Sequence, residues 1–135
     1  MKATRPLPGD VVADDLDQPF WDACRDHRFL VQRCARCGLF YWPASCCTVH
    51  GSADMAWVEA SGRGQIHTYA VIHQSYRRTF LDVPYNVAVV RLDEGPLFHT
   101  SIMDCDQVEV GLRVQVAFVD YESFTLPLFR PSQTP

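Results

Sequence analysis

The sequence predicts a mainly β protein in which a short N-terminal helix and a small zinc ribbon precede a five-stranded barrel. Two observations carry this prediction. Cysteines with metal-ligand spacing lie between residues 34 and 50, and short segments of alternating apolar and polar residues follow from residue 56 to residue 120. We divide the chain of 135 residues into a flexible N-terminal arm (1–16), the helix and zinc ribbon (17–54) and the barrel (55–130).

Composition limits the class of protein. Hydrophobic residues make up 47% of the chain and charged residues 21%, which is enough apolar side chain for a core and too little charge for a disordered chain. No stretch approaches the 18 or so apolar residues of a membrane span, and the N-terminus lacks an apolar signal core. We therefore expect a cytoplasmic protein without a membrane partner. In a reducing cytosol, six cysteines indicate one metal site with spare thiols rather than three disulfides.

The charge pattern bears on partners. The formal net charge is −4, and of twelve basic residues only Lys2 is a lysine. Nucleic-acid modules concentrate positive charge on one face, and this chain has neither a basic run nor a basic excess. We therefore expect no nucleic-acid partner. Arginine is suited instead to bidentate contacts with phosphate or carboxylate at a few points.

A short amphipathic helix is predicted over residues 18–27. Asp17 can cap it, and Pro19 is tolerated in a first helical turn. Cys24 and His27 on its apolar face are interpreted as a buried thiol and a partly buried imidazole rather than as a catalytic pair. The residues at helical spacing on that face are Phe20, Ala23, Cys24 and His27.

Four residues have the types and spacing of a zinc site: Cys34, Cys37, Cys47 and His50. Two tight turns would each supply two soft ligands, which completes a tetrahedral set of three thiolates and one imidazole. Cys46 is adjacent to Cys47, but the C-x2-H spacing favours Cys47. Four protein ligands leave no open position, so the predicted zinc is structural. Free buried thiols, or a ribbon that has lost its metal, are the alternatives.

The remaining segments are predicted to be short strands. Two form the ribbon hairpin, over residues 29–33 and 38–42. Period-2 alternation and glycine punctuation predict five more, and so many short antiparallel strands favour a closed OB-type Greek-key barrel. Gly62 and Gly64 are interpreted as positions of tight backbone geometry. The five predicted barrel strands are residues 56–60, 64–73, 85–92, 97–103 and 112–120.

Several short motifs occur in a fixed order along the chain, over about residues 18–129. They resemble those of a zinc-ribbon plus OB-fold family of acyl-CoA-associated proteins, and their order and spacing together carry the resemblance. The chain departs from the family pattern at Thr48, where proline is usual, and at His50, where cysteine is usual. The motifs are Pro19-Phe20-Trp21, Gln32-Arg33-Cys34, Cys37-Gly38, Trp57-Val58-Glu59, Ser61-Gly62-Arg63-Gly64 and Leu92-Asp93-Glu94-Gly95-Pro96.

The resemblance implies a fold and a function. The fold is an N-terminal helix, a rubredoxin-like zinc ribbon and a C-terminal OB barrel. The function is that of a non-catalytic accessory subunit of a thiolase-like enzyme, either a thiolase or a retro-aldol lyase such as a steroid side-chain aldolase. The resemblance also includes partners of hydratases that act on CoA esters. In such a hetero-oligomer the chain would assist binding or channelling of an acyl-CoA ester in lipid or steroid metabolism.

The loop over residues 73–85 is the candidate contact region. It combines two arginines with aromatic side chains, which suits a phosphate-bearing, partly apolar ligand or a partner surface. A solvated loop is the alternative. The candidate residues for contact with the CoA ester or the partner are Tyr76, Arg77, Arg78 and Phe80. On the strand before the loop, one predicted face carries His67, Tyr69 and His73, which either line an acyl tunnel or pack within the barrel.

Two other functions remain open from the sequence. One is an OB-fold module that binds single-stranded nucleic acid, which the acidity and the sparse lysine disfavour. The other is an independent CoA-ester enzyme. No nucleophile stands beside a base at a recognisable spacing, which disfavours this second alternative.

Overall fold

The computed structural model describes residues 14–42, 46–51, 53–74 and 83–132. Within these ranges, one helix precedes eight strands. The helix is α1 (Gln18–Arg25). The strands are β1 (Leu30–Cys34), β2 (Phe40–Tyr41), β3 (Met55–Glu59), β4 (Arg63–Ile72), β5 (Tyr85–Leu92), β6 (Leu97–Thr100), β7 (Arg113–Asp120) and β8 (Thr125–Pro131). The mainly β fold class is therefore confirmed.

Helix α1 is shorter than predicted. It ends at Arg25 because His27 adopts a left-handed backbone conformation, with a φ of 57°, that a right-handed helix cannot continue. His27 is consequently not on the buried face, and about half of its side chain is exposed. The other three predicted face residues are buried, namely Phe20, Ala23 and Cys24.

The start of the helix also differs in detail from the prediction. Asp17 occupies the N-cap position, but its side chain makes no capping hydrogen bond. Instead its carboxylate accepts a hydrogen bond of 2.9 Å from the backbone N–H of Asp14. Pro19 lies in the first turn as expected, where its missing N–H has no helical partner to lose.

A three-stranded antiparallel sheet in the order β2-β1-β3 forms the ribbon. The sequence placed the segment of β3 in the barrel, and the structure corrects this. All five residues of β3 pair with β1, from Leu30 opposite Glu59 to Cys34 opposite Met55. Period-2 alternation marks a half-buried strand but does not identify the strand beside it, so the pattern alone could not assign β3 to a sheet.

The other five strands form a curled antiparallel sheet in the order β6-β5-β4-β7-β8. Its two ends meet where Ile102 and Phe129 form a parallel bridge. Backbone hydrogen bonds hold that junction, including one of 2.8 Å from the N–H of Met103 to the carbonyl oxygen of Phe129. Three consecutive strands followed by a return beside the first are consistent with the predicted OB barrel.

The fifth barrel strand, β8, is not among the predicted strands. Its sequence contains Pro127 and Pro131, and proline argues against a strand when only the sequence is considered. The structure accommodates both prolines because β8 is the terminal strand in the sheet order, where its other side is paired only at the bridge between Phe129 and Ile102. On the side of β8 that faces away from β7, the N–H that each proline lacks therefore costs little.

An aromatic cluster joins the helix, the ribbon and the barrel. The ring of Phe98 on β6 lies 5.1 Å from the ring of Phe29 and 4.9 Å from that of Trp42, centroid to centroid. Phe20 on α1 lies 4.8 Å from Trp42, and Phe129 on β8 lies 5.9 Å from Phe98. The rings meet mostly edge to face, which is a favourable arrangement. The two sheets therefore share one core.

Gly62 and Gly64 both meet the backbone requirement expected of them. Gly62 has a φ of 73°, and a Cβ there would lie 2.6 Å from Val116 Cγ1. At Gly64 a Cβ would collide with the carbonyl oxygen of Arg91 and lie 2.7 Å from Val90 Cγ1. Both glycines therefore allow β4 to pack closely on neighbouring strands.

Candidate functional site

Two similar turns build the candidate metal site. In the first, the N–H of Gly38 donates a hydrogen bond of 2.8 Å to the carbonyl oxygen of Cys34. In the second, the N–H of Gly51 donates one of the same length to the carbonyl oxygen of Cys47. Both glycines have positive φ values, 75° and 65°, which lets the chain reverse after each cysteine.

The two turns bring three thiols together. The sulfur atoms of Cys34, Cys37 and Cys47 all lie within 4.8 Å of one another, and those of Cys37 and Cys47 are 3.6 Å apart. Cys34 and Cys47 are buried, and Cys37 is exposed. Three converging soft ligands on two turns fit a zinc ion. When bound, zinc would neutralise the thiolates and fix the two turns to each other.

Hydrogen bonding favours the thiolate form of Cys47. The hydroxyl of Tyr41 lies 3.4 Å from its sulfur, and this contact is the largest influence that lowers the pKa of Cys47, to about 6. The backbone N–H groups of His50 and Val49 act in the same direction, while burial opposes them. The Tyr41 oxygen also accepts a hydrogen bond from the N–H of Thr48 and lies 3.0 Å from the Thr48 hydroxyl. When the Thr48 hydroxyl donates to this oxygen, the phenolic proton can point at the sulfur.

Sequence reasoning missed Tyr41. It lies on β2 beyond the first turn, six positions before Cys47, and no ligand spacing marks it. Its role becomes visible only when the fold places β2 beside the second turn.

The environment of Cys37 acts in the opposite direction. The backbone N–H of Leu39 lowers its pKa, but desolvation and the neighbouring thiols of Cys34 and Cys47 outweigh that effect, so the pKa is raised. Desolvation is the largest of the influences that raise this pKa, followed by hydrogen bonds with the two neighbouring thiols and, last, charge repulsion from Cys34. A cation among the three sulfurs would remove the repulsion, and this is a further way in which the donor set fits zinc.

The structure does not bring all four predicted ligands together. His50 lies in the second turn and is exposed, and its ring nitrogens are outside the group of ligand atoms within 4.8 Å of one another. Cys46 is also exposed and outside that group. A fourth ligand at His50 therefore stays a prediction.

A cavity of about 720 Å³ opens between the barrel and the end of the ribbon. Indole rings from the helix and the ribbon form one side of it, and strands of the barrel form the others. Apolar side chains dominate its lining, including Trp21, Trp42, Val87, Phe98, Leu126 and Leu128. A space of this size and character suits an apolar group of a small-molecule ligand.

Polar groups are few in this cavity. His99, Thr100 and Ser101 contribute to one part of its wall. The Nε1 atom of Trp42 is buried and has no hydrogen-bond partner among the residues that the structure describes. This atom has almost no solvent-accessible surface, so it is not one of the polar groups that the cavity presents to a ligand.

The predicted loop residues lie outside the described part of the chain. Tyr76, Arg77, Arg78 and Phe80 all fall within residues 75–82. Of the strand residues that the sequence placed on one face, only Tyr69 lines the cavity. His67 does not share the position expected for it, because a β-bulge between Ile66 and Thr68 shifts the register and takes His67 out of the ladder. His73 lies beyond the end of β4.

The structure separates Cys24 from His27 as a reactive pair. Cys24 is fully buried, and burial raises the pKa of its thiol to about 12. His27 binds Asp120 instead, with its Nε2 atom 3.0 Å from the carboxylate. Cys24 is therefore an apolar core residue, as interpreted from the sequence.

No helix in the described ranges combines the length and the apolar character needed to cross a membrane.

Comparison with known proteins agrees with this architecture. Residues 21–56 match the family model of the ChsH2 rubredoxin-like zinc ribbon domain. Residues 57–119 match that of the ChsH2 C-terminal OB-fold domain. The two matches follow each other without a gap and together cover most of the chain.

Among curated relatives, a probable enoyl-CoA hydratase alpha subunit of Thermomonospora curvata is 38% identical over 97% of this chain. The chain spans only 41% of that relative's length. A DUF35 domain-containing scaffold protein of Methanothermobacter thermautotrophicus is 34% identical, over 64% of this chain and 68% of the relative.

Among solved structures, a chain of the Ltp2-ChsH2(DUF35) aldolase superposes with a TM-score of 0.81 at 33% sequence identity. The superposition covers 90% of this chain and 98% of that one. Sequence, order of domains and three-dimensional structure therefore agree. The chain belongs to the DUF35 family and carries the ChsH2-type zinc ribbon and OB-fold domains in that order.

Proposed function

We propose that this chain is a non-catalytic accessory subunit of a thiolase-like enzyme, a thiolase or retro-aldol lyase, and that it helps to hold the acyl part of a CoA ester. The observation that carries the proposal is the apolar cavity, which has two tryptophans in its wall. Relatives named as a hydratase subunit, a scaffold protein and an aldolase chain support a role within a larger enzyme.

The cavity suits the acyl group better than the rest of a CoA ester. Burial of an alkyl chain against Trp21, Phe98 and Leu128 gains about 0.8 kcal/mol for each CH2 removed from water. The phosphates would lie outside the cavity, because the described residues of its wall include no lysine or arginine.

Direct binding tests the acyl proposal. Calorimetric titration of the zinc-loaded protein with a medium-chain acyl-CoA, and separately with CoA, should show clearly tighter binding of the acyl ester. A Leu126→Trp variant, which fills part of the cavity, should weaken acyl-CoA binding about tenfold through overpacking. Leu97→Trp is the matched control, because Leu97 is 41% exposed and does not line the cavity. Equal affinities for the ester and CoA would contradict the proposal.

Arg77 and Arg78 are proposed to contact the CoA phosphates or an acidic partner surface, together with Tyr76 and Phe80. A guanidinium binds phosphate or carboxylate through two parallel hydrogen bonds, and loss of a desolvated charged contact commonly costs about 2 to 5 kcal/mol. The double variant Arg77→Ala/Arg78→Ala should raise the KM of the assembled enzyme for its CoA ester or weaken assembly. No change in either quantity would remove the loop from the proposal.

The accessory role itself is tested by activity. The purified chain should turn over no CoA ester alone, and should raise the activity or the soluble yield of its enzyme partner on co-expression. Turnover by the purified chain would instead support an independent enzyme. Submicromolar binding of single-stranded DNA with a steep inverse salt dependence would support the nucleic-acid alternative.

A further inference from the structure

One edge of β4 lacks a neighbouring strand over much of its length. Strand β4 pairs with β7 only at Arg63, Gly64 and Gln65, whereas it pairs with β5 as far as Ile72. Residues 67–72 of β4 lie beside residues 85–89 of β5, and we name this pair of segments the β4–β5 arm. On the β5 side, strand β6 pairs with residues 88 and 89, so only residues 70–72 and 85–87 form a purely two-stranded hairpin. Within the described chain, the edge of the arm that faces away from β5 has no strand beside it.

Apolar side chains on both faces of the arm are exposed. Tyr69 and Val71 are 40% and 44% exposed and lie on one face, since they are two residues apart on the same strand. Val87, 43% exposed, pairs with Ala70 and lies on the other face. Exposure of apolar groups on two faces distinguishes the arm from an ordinary half-buried sheet, and contiguous exposed apolar surface marks interaction sites.

Beyond a bulge at its base, the arm also lacks the features that normally protect an edge strand from pairing with another chain. Residues 64–74 and 83–90 contain no Asp, Glu, Lys or Arg, although 21% of the chain is charged. Natural edge strands are usually protected by a charged side chain, a proline or a bulge. The bulge of β4 lies between Ile66 and Thr68, at the base of the arm, and the ladder beyond it is regular as far as Ile72.

We propose that the β4–β5 arm is the docking element through which this chain joins its enzyme partner, with an extended, uncharged segment of the partner pairing along the free edge of β4. This inference rests on the proposed accessory function and names the surface that carries it. Strand addition supplies backbone hydrogen bonds, and the alternating side chains of the arm enter apolar sites on the partner.

The geometry favours an enzyme partner over a second copy of this chain. Two copies paired edge to edge would satisfy the backbone groups of residues 67–72 but would leave Tyr69, Val71 and Val87 exposed. Covering both faces requires a groove, which a larger protein provides. Absence of charge on the described part of the arm means that the groove is apolar rather than acidic or basic.

Docking at the arm would also complete the cavity. Thr68, Tyr69, Ala70 and Val87 of the arm belong to the cavity wall, so a partner seated on the arm lies beside the cavity opening. The acyl group would then be fully enclosed only in the assembled enzyme, where the partner covers the cavity opening and excludes water from it.

Site-specific photo-crosslinking tests this inference. A photoreactive p-benzoylphenylalanine replaces Tyr69 in the full-length chain expressed in its native host, and mass spectrometry identifies the crosslinked peptide. The same group at Val110, which is 67% exposed and lies before β7, is the control. We expect Tyr69 to crosslink to an extended segment of an enzyme that acts on CoA esters, and Val110 to give no such product. Crosslinking to a second copy of this chain, or to no protein, would overturn the proposal.

A substitution pair separates this surface from the accessory function. Val71→Lys should reduce co-purification of that enzyme at least about tenfold, because a charge would be buried without a partner. Val110→Lys should leave it unchanged. If the enzyme co-purifies equally with both variants, the arm is not the interface although the accessory function stands. If the unmodified chain recovers no such enzyme, the accessory function fails and the docking proposal fails with it.

Discussion

The Nε2 atom of His27 lies 3.0 Å from both carboxylate oxygens of Asp120, which connects the second residue after α1 to the last residue of β7. The imidazole also stacks on the ring of Phe118, with centroids 5.0 Å apart. On the other side, the Thr125 hydroxyl donates a hydrogen bond of 2.7 Å to the same carboxylate. The end of the helix is thereby joined to the barrel at the turn between β7 and β8.

This contact predicts a pH-dependent contribution to stability. Hydrogen bonds from Thr125 and then His27 hold the pKa of Asp120 below its usual value. A depressed pKa in the folded state means that the contribution is present above the pKa of the unfolded chain, about 3.9, and is lost as pH falls through the lower folded value. Asp120→Asn should therefore destabilise the protein at pH 7, and the difference from the unmodified chain should shrink below about pH 4.

Urea unfolding of both proteins at pH 7 and at about pH 3.5, just below the pKa of an aspartate in an unfolded chain, measures that difference. Any loss of metal at low pH affects both proteins and cancels in the comparison. Asp106→Asn, at an exposed position before β7, is the control and should show no pH-dependent difference. A difference for Asp120→Asn that is constant with pH would contradict the assigned role.

The aromatic cluster predicts that the ribbon and the barrel unfold together. Phe98 is 5% exposed and contacts rings from α1, the ribbon and β8. Phe98→Ala should lower the free energy of unfolding by about 3 to 5 kcal/mol. Leu97→Ala, one residue away at a 41% exposed position, should cost under about 1 kcal/mol. Calorimetry that resolves two separate transitions in the unmodified chain would contradict a shared core.

The features that could be predicted from the sequence are the local ones. Spacing located the cysteines, and alternation located β3 to β7, because both signals are local. Neither signal shows which segments lie side by side in the folded chain. The segment of β3 was therefore assigned to the wrong sheet, and the contact between Tyr41 and Cys47 was not predicted. Strand β8 was missed because Pro127 and Pro131 obscure its pattern, and a terminal position in the sheet order is a property of the whole fold.

Close packing at Gly64 predicts a steric effect of substitution. Gly64→Ala would place a methyl group against the carbonyl oxygen of Arg91 and the side chain of Val90, and the backbone of β5 would have to move. We expect a loss of about 1 to 3 kcal/mol in thermal or urea unfolding. Gly111→Ala is the comparison, because a Cβ there meets no atom within 4 Å and only its φ of 91° opposes the change. A smaller loss at Gly64 than at Gly111 would contradict the steric explanation.

The metal site predicts one zinc per chain in protein purified without added metal, measured by elemental analysis. Cys34→Ser should release the metal and unfold the ribbon, because zinc binding supplies folding free energy there. Because the ribbon and the barrel share one core, the NMR signals of both should change in this variant, and those of the ribbon should change most. Substoichiometric zinc in the unmodified protein would contradict the prediction.

Two further substitutions decide the fourth ligand. Cys46→Ser should keep the metal, because the Cys46 thiol is exposed and lies outside the cluster of three sulfurs. His50→Ala should weaken zinc binding at least about tenfold if the imidazole completes the tetrahedron, since three protein ligands leave a position open to water. Cobalt substitution adds a direct readout, because the visible spectrum of bound cobalt differs between coordination by three sulfurs and one nitrogen and coordination by four sulfurs. If Cys46→Ser loses the metal and His50→Ala retains it fully, Cys46 rather than His50 is the fourth ligand, and all four ligands are cysteines.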